Sequence, residues 1–308
     1  MSDPPFDLEP TFQVTYSRLI ADYAISNDGQ FAVVDELGRV MLNCDVGRKL
    51  RFDLSLQDFD HVRGCQFLGS DNRVVFTVKQ STYIADFGQR TLRQLPTAEK
   101  HFGSAILSIG NGNYATISSS QDAADGGIEI AIWSAGTLAI QHRIRSPLTF
   151  RVNRAITLPD SSAALLGCVG GTVLQWSLSG NKIEPIAEVR GSIMGMVIHP
   201  RTGNVITGQW PGFATELFLS ERTIKEYTEF RGSLSAMAPF DDERLVLITS
   251  QDAIGVFLAT DEFAFWNKFS EPPVRSARFS NNSQFVAFDR ERRLEAYRVV
   301  EMFERFKF

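Results

Sequence analysis

Short apolar runs separated by polar turns repeat along the whole chain. The clearest unit is Asn153 to Arg190, NRAITLPDSSAALLGCVGGTVLQWSLSGNKIEPIAEVR, which reads as four β-strands in a row with a turn between each pair. A unit of this kind has apolar side chains on both faces of a small sheet. It buries them by stacking against copies of itself, so the pattern predicts a repeat architecture.

The turns after the first strand of each unit supply the register. They are clusters of Asn, Asp, Gly and Ser, residues that tolerate tight backbone geometry or bond to their own backbone: SNDG at 26 to 29, SDN at 70 to 72, GNGN at 110 to 113, PDSS at 159 to 162, PRTGN at 200 to 204, DDE at 241 to 243 and SNNS at 280 to 283. Counting between Asp28, Asp71, Asn111, Asp160, Thr202, Asp242 and Asn282 gives steps of 43, 40, 49, 42, 40 and 40 residues. Second strands follow as FAVVDE, RVVFTV, YATISS, AALLGCV, NVITGQ, RLVLITS and QFVAFD. These continuous apolar runs are expected of strands covered on both faces. Third strands are RVMLNC, STYIADF, IEIAIWS, TVLQWSL, FATELFL, AIGVFLA and RLEAYRV. The 49-residue step comes from SSSQDAADGG at 118 to 127, which predicts a long loop between the second and third strands of the third unit.

With repeats near 40 residues and tryptophans at the ends of third strands, Trp133-Ser134 and Trp176-Ser177, residues 11 to 300 resemble the WD-repeat-like β-propellers. In that family the tryptophan is followed by Asp and a Gly-His pair precedes the first strand. Both signatures are missing here, so the family's hydrogen-bonded tetrad is not carried over. The resemblance implies an all-β fold: a seven-bladed propeller of four-stranded antiparallel blades, starting near residues 18, 61, 103, 150, 191, 232 and 272.

An open ring would leave a bare sheet edge, so a propeller must close. TFQVTYSRLIADYAISNDG aligns with TIKEYTEFRGSLSAMAPFDD, where a fourth strand runs into the first strand of the next blade. Thr11 to Tyr16 is therefore expected to be the outer strand of the seventh blade, closing the ring from the N-terminus. The tail 301 to 308, EMFERFKF, is then a short packed helix; the alternative makes it the closing strand. Residues 1 to 10, acidic and proline-rich, read as a disordered leader.

Composition narrows the function classes. The 308 residues are 44% hydrophobic, enough for a sizeable core, and the net charge of -5 argues against general nucleic-acid affinity. Cys44, Cys65 and Cys168 are scattered and never in a CxxC pair, which predicts buried thiols with no zinc site and no disulfide framework. With no apolar run long enough to span a bilayer and no secretory leader, the expectation is a soluble cytoplasmic protein with no membrane partner.

Catalytic spacings fail one after another. HExxH, GxSxG, Walker and GxGxxG patterns are all absent, and GNGN at 110 to 113 reads as a hairpin turn. The four histidines, His61, His101, His142 and His199, fall in different units. No catalytic residue, metal ligand or cofactor is predicted.

One pattern stands out in the segments entering the first strands. Arg18, Arg63, Lys100 with His101, Arg151 with Arg154, Arg190, Arg231 and Arg275 give every entrance a basic residue. In a propeller these segments surround one mouth of the central channel, and guanidiniums gathered there suit carboxylate or phosphate recognition. Trp210, in Gly208-Gln209-Trp210-Pro211-Gly212, joins a second to a third strand at the same end. The opposite end gathers Asp28, Asp71, Asp160, Asp241, Asp242 and Glu243, as hairpin chemistry also requires. The predicted partner-binding set is Arg18, Arg63, Arg154, Arg190, Trp210, Arg231 and Arg275. The predicted function is a non-catalytic protein-interaction scaffold that holds an acidic peptide or protein surface, alone or as a subunit of a larger complex. The alternative is a cytosolic propeller hydrolase or lactonase with a site at the channel mouth.

Overall fold

The computed structural model describes residues 9–44, 48–52, 62–69, 72–78, 81–96, 102–119, 127–228, 232–241, 243–249, 253–258, 263–268, 275–290 and 292–306. After β1 (Phe12–Thr15) the strands come in fours. β2 to β5 are Ile20–Ile25, Phe31–Asp35, Val40–Cys44 and Arg48–Phe52; β6 to β9 are Val62–Phe67, Arg73–Val78, Ser81–Asp86 and Thr91–Pro96. β10 to β13 are Phe102–Gly110, Asn113–Ser119, Ile128–Ser134 and Ile140–Ser146; β14 to β17 are Val152–Thr157, Ala163–Cys168, Thr172–Ser177 and Ile183–Glu188. β18 to β21 are Ser192–Ile198, Val205–Trp210, Phe213–Phe218 and Thr223–Tyr227; β22 to β25 are Leu234–Pro239, Arg244–Thr249, Ala253–Leu258 and Phe263–Lys268. The final three, β26 to β28, are Ser276–Phe279, Phe285–Arg290 and Arg293–Arg298, followed by helix α1, Val299–Phe306.

Each group of four is one antiparallel meander, and the last three strands are completed by β1, in the order β1-β28-β27-β26. The described residues thus hold seven four-stranded sheets. The hairpin turns lie where the Asn/Asp/Gly clusters put them. Ser26 N–H bonds the Gln30 carbonyl at 2.9 Å, His199 N–H that of Asn204 at 2.8 Å, and Ser280 N–H that of Phe285 at 2.9 Å. Asn111 has a φ of 52° between two positive-φ glycines, the backbone such a turn needs. Second strands are mostly buried: every residue of β3, β15 and β27 is buried, and β19 is buried up to its last residue, Trp210. The third sheet pairs Ser119 with Ile128, and residues 120–126 of the expected long loop lie outside the described residues.

A feature without any turn or hydrophobic signal recurs at the start of the first strands. The pairing of first with second strand is interrupted between Ile20 and Asp22, Arg63 and Gln66, Gly103 and Ala105, Val152 and Arg154, Ile193 and Gly195, and Leu234 and Ala236. Among the described residues, the β26–β27 pair alone of these seven runs without a shift. A bulge at this point re-aims the side chains on either side of it, which is where Arg63 and Arg154 sit.

The described chain divides into two compact units. One comprises 1–19, 27–29 and 187–308. Here β1 pairs with β28 through Phe12↔Ala296 to Thr15↔Arg293, and Tyr16 N–H extends the ladder to the Arg292 carbonyl at 2.7 Å. The terminal segment instead forms α1. Val299 and Met302 on this helix bury against Ala277, Val286, Phe288 and Tyr297. Neighbouring sheets approach closely at Gly208 of β19. A Cβ there would lie 2.6 Å from Leu234 Cβ and 2.7 Å from its carbonyl oxygen, so only glycine fits.

The other unit comprises 20–26 and 30–186 and contains four sheets. Its two conspicuous tryptophans are both fully buried. Trp133 Nε1–H donates to Thr116 Oγ1 at 3.0 Å, and Thr82 Oγ1 lies 3.3 Å from the same hydroxyl, linking two sheets. Trp176 packs among Ala164, Leu166 and Leu174, and its Nε1–H has no hydrogen-bond partner among the described residues. A buried donor without an acceptor is a net cost, whereas a satisfied one contributes about 1 kcal/mol. Chemical denaturation should therefore find Trp133→Phe more destabilising than Trp176→Phe by about 1 kcal/mol, since both lose similar packing. Equal losses would contradict this assignment of the two rings.

Candidate functional site

In the unit that contains β18 to β28, the entrance to β18 builds the most exposed aromatic surface among the described residues. Val189 is buried and anchors the segment; Arg190 follows and is exposed. Gly191, with φ +84°, lets the chain pass against the far end of β19: a Cβ here would be 2.3 Å from the Trp210 carbonyl oxygen. That approach allows Ser192 to pair with Trp210. The Trp210–Pro211 peptide is cis, and Phe213 opens β20 two residues later. The Arg190 guanidinium carbon lies 4.4 Å from the centre of the Phe213 ring. Trp210 is 61% exposed, next to Gln209, whose side chain is wholly buried and donates to Thr207 Oγ1. Among the described residues no carboxylate forms an ion pair with Arg190. A cation held over one ring beside an open indole presents charge and apolar area together.

Other predicted residues separate into different settings. The Arg275 backbone N–H bonds the Asp289 carbonyl at 2.8 Å and its Nε sits 3.8 Å from Asp289 Oδ2; the Asp289 side chain is buried while that of Arg275 is half-exposed. Arg275 is thereby tied to its own sheet. Arg18 is exposed beyond the end of β1. Arg231, Lys100 and His101 lie outside the described residues.

In the four-sheet unit, Arg63 is half-buried directly before the bulge at Gly64 and Cys65. Its pKa is depressed below the ordinary value by burial first and by Arg151 second, with Asp22 acting in the opposite direction. Arg154 follows the bulge at Asn153 and donates from Nη1 to the Asn153 carbonyl at 3.1 Å. Neither Phe213 nor Asp22 belongs to the set predicted from sequence. Phe213 opens an ordinary third strand, and its relation to Arg190 exists only across the β19–β20 turn.

Among the described residues no group of three or more His, Cys, Asp or Glu side chains is placed to hold a metal ion. Cys65 and Cys168 are free and buried, and burial pushes the Cys168 thiol up to about 12. His142, on β13, lies 3.4 Å from Asn181. His199 ends up inside a turn: its Nδ1 accepts from the backbone N–H of Arg201 and Thr202 at 3.3 Å each. Burial is the main cause that holds its pKa below 6.5, with Arg201 adding to it and Glu243 and Glu216 opposing. The unfolded chain then binds the proton more readily, so the contribution of His199 is complete above pH 6.5 and is lost as the pH falls below it. Melting temperatures at pH 7.5 and 5.5 should fall further for the natural protein than for His199→Asn. Identical falls would contradict the role of this ring.

No protein-family model matches the chain, and no curated protein matches it. Among solved structures, a chain in the one described as "Crystal Structure of Mitotic Checkpoint Complex" is similar, with a TM-score of 0.75 at 12% identity, covering 97% of this chain and 94% of that one. Likeness at that identity is likeness of fold. The fold is an all-β propeller of four-stranded antiparallel blades.

Proposed function

We propose that this protein is a non-catalytic interaction scaffold that docks an acidic, apolar-containing segment of a protein partner on the surface formed by Arg190, Trp210 and Phe213. The observation that carries the reading is Trp210, 61% exposed beside a guanidinium held over a neighbouring ring. Single exposed aliphatics are ordinary on a protein surface, but an open tryptophan next to a positioned arginine is the composition of an interface anchor. A stacked guanidinium retains its N–H edge for a carboxylate, while the indole supplies the area that an apolar neighbour of that carboxylate covers. The similar chain belongs to a structure described as a complex, in keeping with a propeller that works by association.

Random peptides displayed against the immobilised protein test this directly. Sequences with Asp or Glu beside an aromatic or branched aliphatic residue should be enriched. Arg190→Glu and Trp210→Ala should each weaken a selected peptide about tenfold or more by fluorescence polarisation, the loss expected of one charged contact or one aromatic anchor. Both side chains are exposed, so melting temperatures should hardly move. Selected peptides that bind the double variant as tightly as the natural protein would refute the assignment.

A further inference from the structure

The two strands that carry Trp210 and Phe213 also bury a row of polar side chains. Thr207 and Gln209 on β19 and Thr215 on β20 are all inaccessible to solvent. Thr207 stands opposite Thr215 in the ladder and Gln209 opposite Phe213, so the four side chains share one face of the sheet. Gly208 between them turns to the other face, against Leu234. The fold does not call for polar groups here. The sheet of β14 to β17 has the same register, with Val152↔Cys168 just ahead of its bulge as Ile193↔Gln209 is in this one. Its residues at the places of Thr207, Gln209 and Thr215 are Leu166, Cys168 and Leu174, and all three belong to an apolar core.

The polar row is wired in one direction. Thr207 Oγ1–H donates to the Thr215 carbonyl at 3.2 Å, which leaves the Thr207 oxygen to accept from Gln209 Nε2. The Gln209 amide is thereby oriented, and its Oε1 has no hydrogen-bond partner among the described residues. A buried amide with an open carbonyl is unfavourable for folding, and side chains that break the packing rule in this way are expected beside functional sites. The link from Gln209 through Thr207 to the Thr215 carbonyl ties β19 to β20. These strands meet at the turn of Trp210, Pro211 and Gly212. Trp210 is the residue after Gln209, and the ring opposite Gln209 is that of Phe213, over which the Arg190 guanidinium lies.

We propose that Gln209 is a positioning residue, whose buried amide holds the Trp210 indole and the Phe213 ring in the arrangement that receives a partner. This role rests on the docking function assigned above to that surface. An anchor already ordered in the free protein spares the entropy of immobilising it on binding, which repays the unfavourable burial of the amide.

Gln209→Met tests the role, because the side chain keeps its length and loses the amide. In protein labelled with nitrogen-15 tryptophan, the indole N–H signal of Trp210, identified by its loss in Trp210→Ala, reports order through its heteronuclear Overhauser effect. That effect should fall in Gln209→Met, while the melting temperature stays level or rises because an open buried carbonyl is removed. Thr207→Val, which keeps the shape and cuts the link to β20, should lower the effect as well. A peptide whose binding requires Trp210 should bind Gln209→Met about fivefold more weakly, the loss expected when one more side chain must be immobilised. An unchanged Overhauser effect in either variant, undiminished peptide affinity, or a lower melting temperature for Gln209→Met, the mark of a merely structural amide, would each overturn the proposal. Reduced order at Trp210 in a protein whose peptides bind without Trp210 or Arg190 would uphold the positioning of the ring and refute the docking function alone.

Discussion

A sheet edge must be paired or covered, and the last sheet of this protein meets that constraint with the first strand of the chain. β26, β27 and β28 arrive together from the C-terminal end, and without β1 the ladder of β28 would face solvent. Four residue pairs join β1 to β28, and Arg298 N–H adds a bond to Thr11 Oγ1 at 3.3 Å. The Phe12 ring, 5.9 Å from that of Phe285, also lies against Gly29. With β28 paired in this way, the segment after it is released from any strand role and forms α1, whose Val299 and Met302 fill the same core. The cost of a bare edge therefore accounts for the pairing of β1 and the place of α1.

The same economy of backbone pairing explains where the functional side chains come from. The interiors of the second and third strands are consumed by burial, so on these strands the ends of the meanders present charge or an open ring. Six of those ends carry a bulge, which gives the residues on either side directions that regular alternation would forbid. Arg63 and Arg154 flank such bulges, while Arg190 lies ahead of one and is followed by Gly191, whose backbone closely approaches Trp210.

Strands and turns were legible in the amino-acid sequence because their signals are local. An apolar run such as FAVVD and a turn such as SNDG declare themselves within a few residues. The roles of the entrance cations were not legible, because each depends on a partner far along the chain. Arg275 answers to Asp289, Arg190 to Phe213, and Arg63 to both Asp22 and Arg151. A basic residue at an entrance therefore meant three physical things: a tied surface cation, a positioned cation beside an open indole, and a member of a repelling pair. Trp133 and Trp176 repeat the lesson, since equal positions on third strands leave one indole N–H satisfied and the other not.

The account turns on Trp210 being exposed for association rather than as an incidental surface ring. Replacing Trp210 with photoreactive benzoylphenylalanine in cells, with Ile224 on the outer strand β21 as an exposed control position, measures this most directly. The account predicts discrete protein adducts from position 210, lost when Arg190→Glu is added, and none from position 224. Adducts of equal yield from both positions, or adducts from 210 that survive Arg190→Glu, would contradict it.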